Sequence, residues 1–168
     1  MRYVSTRGET KPLLFEGALL AGLARDGGLY LPEAWPKLSP SAIADLAGRN
    51  YAEAAYFVMR PYLEGDPSLA DLEQVLGEAY SSFDDPAVAP LRQIAPNMFL
   101  LELFHGPTLA FKDLAMQVVG RMMNRALQRR GARATVIGAT SGDTGAAAIE
   151  AFRGSMPSTF SSCIRKAA

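Results

Sequence analysis

Two short stretches of the chain hold residues whose types and spacing could do chemistry. The first runs His105-Gly106-Pro107-Thr108-Leu109-Ala110-Phe111-Lys112-Asp113 and sets a lysine between Phe111 and Leu114, where a turn gives way to helical periodicity. A lysine amine desolvated in such a place is a nucleophile able to form a Schiff base with a carbonyl. The plainer account of the same residue is a snorkelling lysine whose stem covers apolar surface. The second stretch is Thr140-Ser141-Gly142-Asp143-Thr144-Gly145, between an apolar run and a second helical run. Strand, glycine-rich turn, helix is the geometry that points free backbone N–H groups at an anion. The hydroxyls of Ser141 and Thr144 add donors. No Gly-Lys-Ser/Thr closes the turn and it is not G-x-G-x-x-G, so neither nucleotide signature applies. An ordinary capped turn stays open on these residues alone. Asp143 would repel an anion placed directly on it, so a bound phosphate or carboxylate is expected on the Ser/Thr side.

His105 is the only histidine and Cys163 the only cysteine. A catalytic histidine normally has an orienting partner. His105 is therefore either a structural residue or, through its closeness to Lys112 in sequence, a group that approaches a cofactor or a substrate phosphate. With no second histidine and no cysteine cluster, no transition-metal site is expected, and a single cysteine excludes an intrachain disulfide.

The elements that must position these residues follow from periodicity. Met98 to Phe104 is an apolar run bounded by Pro96 and Gly106-Pro107, which predicts a buried strand. A long helix is expected from about Lys112 through Arg130, with Leu114, Val118, Met122 and Leu127 on one face, Thr108 as a cap and Gly131 as the stop. Ala134 to Ala139 reads as a second strand, and the residues after Gly145 as a second helix. Upstream lies a mostly helical region. A strand is expected at Tyr3-Val4-Ser5 and a helix from Leu13 to Arg25, ended by Asp26-Gly27-Gly28. Short helices are expected between Ser39 or Ser41 and Gly48, from Tyr51 to Leu63 with Pro61 bending or ending it, and from Ser68 to Tyr80. Tyr51, Tyr56, Phe57 and Tyr80 are expected in the core, and Phe83 to Pro96 as a linker.

Together, HGPTLAFKD and GATSGDTGAAA resemble threonine synthase, a family of pyridoxal-phosphate enzymes of the tryptophan-synthase-β type. The segment DGGLYLP (Asp26 to Pro32) is similar to that family's opening segment. The resemblance runs from Met1 to about Gly154. It implies an α/β fold: an N-terminal mostly helical region over 1–90, then part of a doubly wound parallel-sheet cofactor domain over 91–154. It implies that Lys112 binds pyridoxal 5′-phosphate covalently, with Phe111 beside it. It implies that Ser141, Gly142, Asp143, Thr144 and Gly145 hold substrate anionic groups near the cofactor. The reaction implied is conversion of O-phospho-L-homoserine and water to L-threonine and phosphate, with Lys112 shuttling protons at Cα and Cβ. The wider fold type often has Asn where Asp143 stands, which leaves that position without an assigned role. Two other readings stay in view: a different β-type pyridoxal lyase, such as a threonine or serine dehydratase, and a non-catalytic phosphate-binding module using only the SGDTG turn.

Formal net charge is zero, which argues against a general polyanion binder, so no nucleic-acid partner is expected. Seven basic residues lie between Arg92 and Arg133, mostly on one predicted helix, and read as a solvated face. No signal-peptide core and no membrane-spanning run is visible, so a cytoplasmic location is expected.

From Ser155 the text changes character. SMPSTFSSCIRKAA has neither helix nor strand periodicity, although a doubly wound unit places a strand here. A shifted reading frame accounts for it: codon degeneracy permits DAVDIFILYPEGR in another frame, an apolar strand ending in a turn. On that reading residues 155–168 are an aberrant tail. The segments that the family uses for the cofactor phosphate and pyridine nitrogen are then missing, and the chain is expected to be inactive alone.

Overall fold

The computed structural model describes residues 1–140, 142–154 and 158–164, the last span by its backbone alone. These fall into two compact units, Met1–Gln74 and Val75–Ala168.

In the first unit, β1 (Tyr3–Ser5) pairs antiparallel with β2 (Tyr30–Pro32), with Tyr3 opposite Pro32 and Ser5 opposite Tyr30. Between them lies α1 (Phe15–Ala21), shorter than the expected helix to Arg25. Gly22 stops it, and Leu23 then bridges to Leu29 across a tight turn. Asp26 fastens that turn. Its Oδ1 accepts from the Ser5 hydroxyl at 2.7 Å and the Gly28 N–H at 2.9 Å, and its Oδ2 accepts from the Glu9 N–H at 3.1 Å. Desolvation pushes this carboxyl up. The hydrogen bonds from Gly28, Ser5 and Glu9, with the Arg7 guanidinium, outweigh that and hold it below its ordinary value of 3.8. The Asp-Gly-Gly segment is thus a structural fastening.

α2 (Pro40–Ala44) begins at Ser39, whose hydroxyl accepts from the Ala42 N–H at 3.1 Å. α3 (Tyr51–Met59) begins at a capping box. Asn50 Oδ1 accepts from the Glu53 N–H at 2.9 Å, and Glu53 Oε2 accepts from the Asn50 N–H at 3.0 Å. Pro61 converts the last turn to a 3-10 turn over Arg60–Leu63, as its missing N–H dictates. Phe57, expected in the core, is exposed along with Val58. The helix expected from Ser68 to Tyr80 is a 3-10 turn, Pro67–Asp71, followed by α4 (Leu72–Tyr80). Buried Asp66 organises that start, accepting from the Ser68 N–H and the Glu16 N–H, each at 2.9 Å.

The second unit begins within α4. The stretch expected as linker contains β3 (Leu91–Ala95), which forms an antiparallel hairpin with β4 (Met98–Leu101). Asn97, at φ +58°, makes the turn. The hairpin corrects the expectation of a buried strand over Met98 to Phe104. β4 ends at Leu101, and its residues are exposed, as is Phe104. Apolar periodicity marks a strand that suits burial; it does not say whether the covering layer lies in the same chain.

α5 (Asp113–Arg129), β5 (Ala134–Thr140), α6 (Asp143–Phe152) and β6 (Ser158–Ile164) complete the order. β5 and β6 are parallel, from Ala134 opposite Ser158 to Thr140 opposite Ile164, with α6 as the crossover. A strand stands at 158–164, where a doubly wound unit calls for one, although its sequence shows no strand periodicity. Thr, Phe and Ile are good strand formers, and the crossover brings the chain back beside β5. Residues 155–157 and 165–168 of the expected aberrant tail lie outside the described residues. The α/β class is as expected. The core of this unit gathers Val75, Leu76 and Ala79 of α4, Val118, Met122, Ala126 and Leu127 of α5, and Ala147, Ala148, Ala151 and Phe152 of α6.

Candidate active site

The site sits where α5 and α6 begin. These two helices pack on each other so closely that Gly120 is obligatory. A Cβ at that position would stand 2.6 Å from the Ala151 carbonyl oxygen and 3.1 Å from the Ala151 Cβ. Gly120 lies eight residues beyond Lys112, and Ala151 eight beyond Asp143. The equal offsets mean that the helices run side by side in the same direction. The Gly120–Ala151 contact lies about 12 Å down each helix from its mouth, at 1.5 Å rise per residue. It therefore sets how near the two mouths come.

At those mouths Lys112 Nζ lies 3.2 Å from Asp143 Oδ2. The Lys112 side chain is 25% exposed and that of Asp143 70%. Nζ also stands 4.2 Å from the centre of the Phe111 ring. Both contacts suit an ammonium group. The ring does not bury the amine as the sequence led us to expect, because Phe111 is itself exposed. Lys112 is the residue before the first helical one and makes no capping bond.

Thr108 does not cap α5 either. Its N–H donates to Asp113 Oδ2 at 2.8 Å, and its hydroxyl donates to Asp113 Oδ1 at 2.8 Å and Oδ2 at 2.9 Å. Asp113 is fully buried. This knot ties the turn to the first residue of α5 and aims the adjoining lysine. It also holds Leu109 at φ +61°, a left-handed conformation that a leucine adopts only under constraint.

The second turn has its own fastening. Thr140 Oγ1 accepts from the Gly142 N–H at 3.0 Å and the Gly145 N–H at 3.1 Å. Gly142 has φ +143°, outside the range of a residue with a side chain. Two of the turn's donors are thus consumed internally. The N–H groups of Asp143 and Thr144, in the first turn of α6, have no partner available within their own helix. Thr144 and Asp143 are exposed, and Gly145 is buried. Ser141 lies outside the described residues.

His105 has the orienting partner that a working histidine needs. Its Nε2 is 2.8 Å from Glu102 Oε2, and Arg92 Nε stands 3.7 Å from the same oxygen. Its ring packs on Phe104 with centroids 4.8 Å apart. Among the described residues it is not bonded to Lys112 or to the 142–145 turn. The structure therefore joins Lys112, Phe111 and Asp143, and keeps His105 in a separate cluster. Thr140, Asp113 and Glu102 escaped the sequence reading. Their signals were present: a Thr just before the glycine turn, an Asp beside the lysine, and a Glu three residues before the histidine.

Among the described residues no group of three or more His, Cys, Asp or Glu side chains is arranged to hold a metal. No helix among them is long and apolar enough to cross a membrane.

Comparison with known proteins places this geometry. Residues 2–80 match the family described as threonine synthase N terminus. The chain is 54% identical to threonine synthase of Pseudomonas aeruginosa over 153 residues, covering 91% of this chain and 33% of that protein. It is 39% identical to threonine synthase of Methylobacillus glycogenes, covering 92% of this chain and 34% of that one. Among solved structures, the pyridoxal-phosphate-bound threonine synthase of Brucella melitensis superposes with a TM-score of 0.91 at 56% identity. That match covers 95% of this chain and 34% of the other. Yeast threonine synthase gives 0.89 at 38% identity, over 95% and 34%. The chain spans about a third of the length of the relatives it matches. On sequence and fold together, it belongs to the threonine synthase family and corresponds to that family's N-terminal third.

Proposed function

We propose that this chain carries the lysine-bearing part of a pyridoxal-phosphate enzyme that converts O-phospho-L-homoserine and water to L-threonine and phosphate. The observation that supports it most is the Lys112 amine, partly exposed at the paired mouths of α5 and α6, in a chain of this family. The residues fit the group. A primary amine is the partner an aldehyde cofactor requires, and the first-turn N–H groups of α6 suit an anionic group beside it.

Lys112 is the residue that would hold pyridoxal phosphate, with Phe111 at its side. When bound, the cofactor supplies an electron sink for charge developing at the substrate Cα. The protein's part is positional. The Thr108–Asp113 knot fixes the direction from which Lys112 enters. Lys112 then takes and returns protons at Cα and Cβ of the substrate. The Asp143 and Thr144 N–H groups, with the hydroxyls of Thr144 and Ser141, receive an anionic substrate group. His105, oriented by Glu102, is read as a further group for the substrate phosphate. The parallel β5–α6–β6 unit is read as one edge of a doubly wound sheet in a cofactor domain beginning near 91, with 1–90 as the family's N-terminal region. The tail from Ser155 is read as a shifted frame, which the coding DNA tests directly. The chain's location is expected to be cytoplasmic.

The test is an absorbance spectrum of the purified chain with pyridoxal phosphate, before and after borohydride, with Lys112→Ala alongside. A cofactor band that borohydride fixes onto Lys112, absent from the variant, supports the reading. A well-folded protein with no such band refutes it for this chain and favours a phosphate-binding module.

A further inference from the structure

We propose that Asp143 is a positioning residue for Lys112: its carboxylate holds the lysine amine at the mouth of α6 whenever that amine is not in covalent use. The proposal rests on the reading of Lys112 just given and assigns Asp143 a task within it.

Three observations carry it. First, among the described residues the Asp143 carboxylate stands 3.2 Å from Nζ, with the face of Phe111 at 4.2 Å on the same amine. Second, the Asp143 side chain is 70% exposed, so neither packing nor a fold-wide network demands a carboxylate there. Third, the partners are not two wandering surface chains. Each is anchored at the start of a helix, and the helices are locked by the Gly120–Ala151 approach further along. That removes much of the ordering cost that makes most exposed ion pairs worthless.

The charge logic gives the pair a purpose. An aspartate in the first turn of α6 opposes any anion brought to the same N–H groups. Paired with Lys112 it is neutralised. A pyridoxal aldehyde, when bound, would take the Lys112 nitrogen into covalent use by condensation, with water as the other product. From that moment Asp143 has lost its partner. Once out of covalent use, the Lys112 amine returns to Asp143. The carboxylate thus gives the freed lysine one defined place, beside the reacting centre, instead of a spread of solvent-facing rotamers.

The experiment is a competitive acylation footprint. The chain is treated with a low dose of acetic anhydride, which reacts with unprotonated, unpaired amines. Rates at Lys112, Lys11 and Lys37 are then read by peptide mass spectrometry. Wild type is compared with Asp143→Asn, Asp143→Ala and Asp143→Glu, each checked for folding by circular dichroism. Release of an ion pair of this exposure is expected to raise the Lys112 rate roughly two- to five-fold in the Asn and Ala variants. The Glu variant should restore most of the protection, and Lys11 and Lys37 should not change. Equal Lys112 rates in all four folded proteins overturn the proposal, as does acceleration in the Glu variant matching that in Ala. If one variant fails to fold, the Asn and Glu pair alone decides. Borohydride trapping of pyridoxal phosphate on wild type is run separately. Its failure with the acylation pattern intact removes the cofactor reading and leaves the hold of Asp143 on Lys112 standing.

Discussion

Replacing Gly120 by alanine tests the idea that one close helix contact sets the site. In an open helix the change stabilises, by about 1 kcal/mol, because glycine is the poorer helix former. At position 120 the new methyl would lie 2.6 Å from the Ala151 carbonyl oxygen, a backbone atom that cannot rotate away. Forcing an extra methyl into a packed contact costs about 1–3 kcal/mol. The two terms oppose, and a net loss of roughly 0–2 kcal/mol is expected. The internal standard is Gly77 of α4, where an added Cβ meets nothing within 4 Å. Gly77→Ala should therefore gain about 1 kcal/mol, leaving the two alanine variants about 1–3 kcal/mol apart. Urea unfolding followed by circular dichroism, with equal slopes, measures that difference. Because the contact also spaces the mouths of α5 and α6, the Lys112 acylation rate should rise in Gly120→Ala and stay unchanged in Gly77→Ala. A Gly120→Ala protein as stable as Gly77→Ala, with an unaltered Lys112, would refute the reasoning.

Asp113→Ala removes the acceptor for both Thr108 donors and leaves a part-buried N–H and hydroxyl without partners, a loss of about 1–3 kcal/mol in urea unfolding. Thr108→Val should lose less, since the backbone N–H bond survives. Asp26, held below 3.8 when folded, stabilises its turn only while ionised. That contribution is full above the unfolded value and disappears as pH falls through the lower folded one. Asp26→Asn should therefore weaken the fold near neutrality and flatten the loss of stability below pH 3.8, as followed by acid titration of circular dichroism. The β3–β4 hairpin exposes Leu91, Ile94, Met98, Phe99, Leu100 and Leu101, each between 47% and 61% accessible. Ile94→Lys with Phe99→Glu should cut dye binding and light scattering by the chain without altering its far-ultraviolet spectrum.

The helices were legible where local chemistry decides them. Pro61 ended α3, Ser39 capped α2, and the face from Leu114 through Leu127 marked α5. The extent of α1 was not, because the hydrophobic pattern from Leu13 to Arg25 continues through Gly22, where the chain turns back to pair Leu23 with Leu29. The hairpin hid for a related reason. Pro90 and Pro96 make the stretch look like linker, and its pairing depends on β4, which periodicity assigned to a buried sheet. In the site, the lysine and the glycine turn were readable from spacing, while the bond between Lys112 and Asp143 was not. That bond depends on how two successive helices, joined through β5, come to lie parallel, and the Gly120 that permits it looks like any helical glycine.

The parallel course of α5 and α6 has an electrostatic consequence. Each helix carries about half a positive charge at its start, and two starts brought together concentrate a cationic field before any side chain is counted. Helices aligned this way repel along their lengths, and the repulsion is sharpest at the mouths. The chain places one aspartate in the first turn of each, Asp113 on α5 and Asp143 on α6. One is sealed inside and permanently spent on the turn before it. The other is open to solvent and free to trade partners. The fold thus fixes one of its two opposing charges for good and leaves the other adjustable, so that the attraction felt by an arriving anion is set by what Asp143 is holding at that moment.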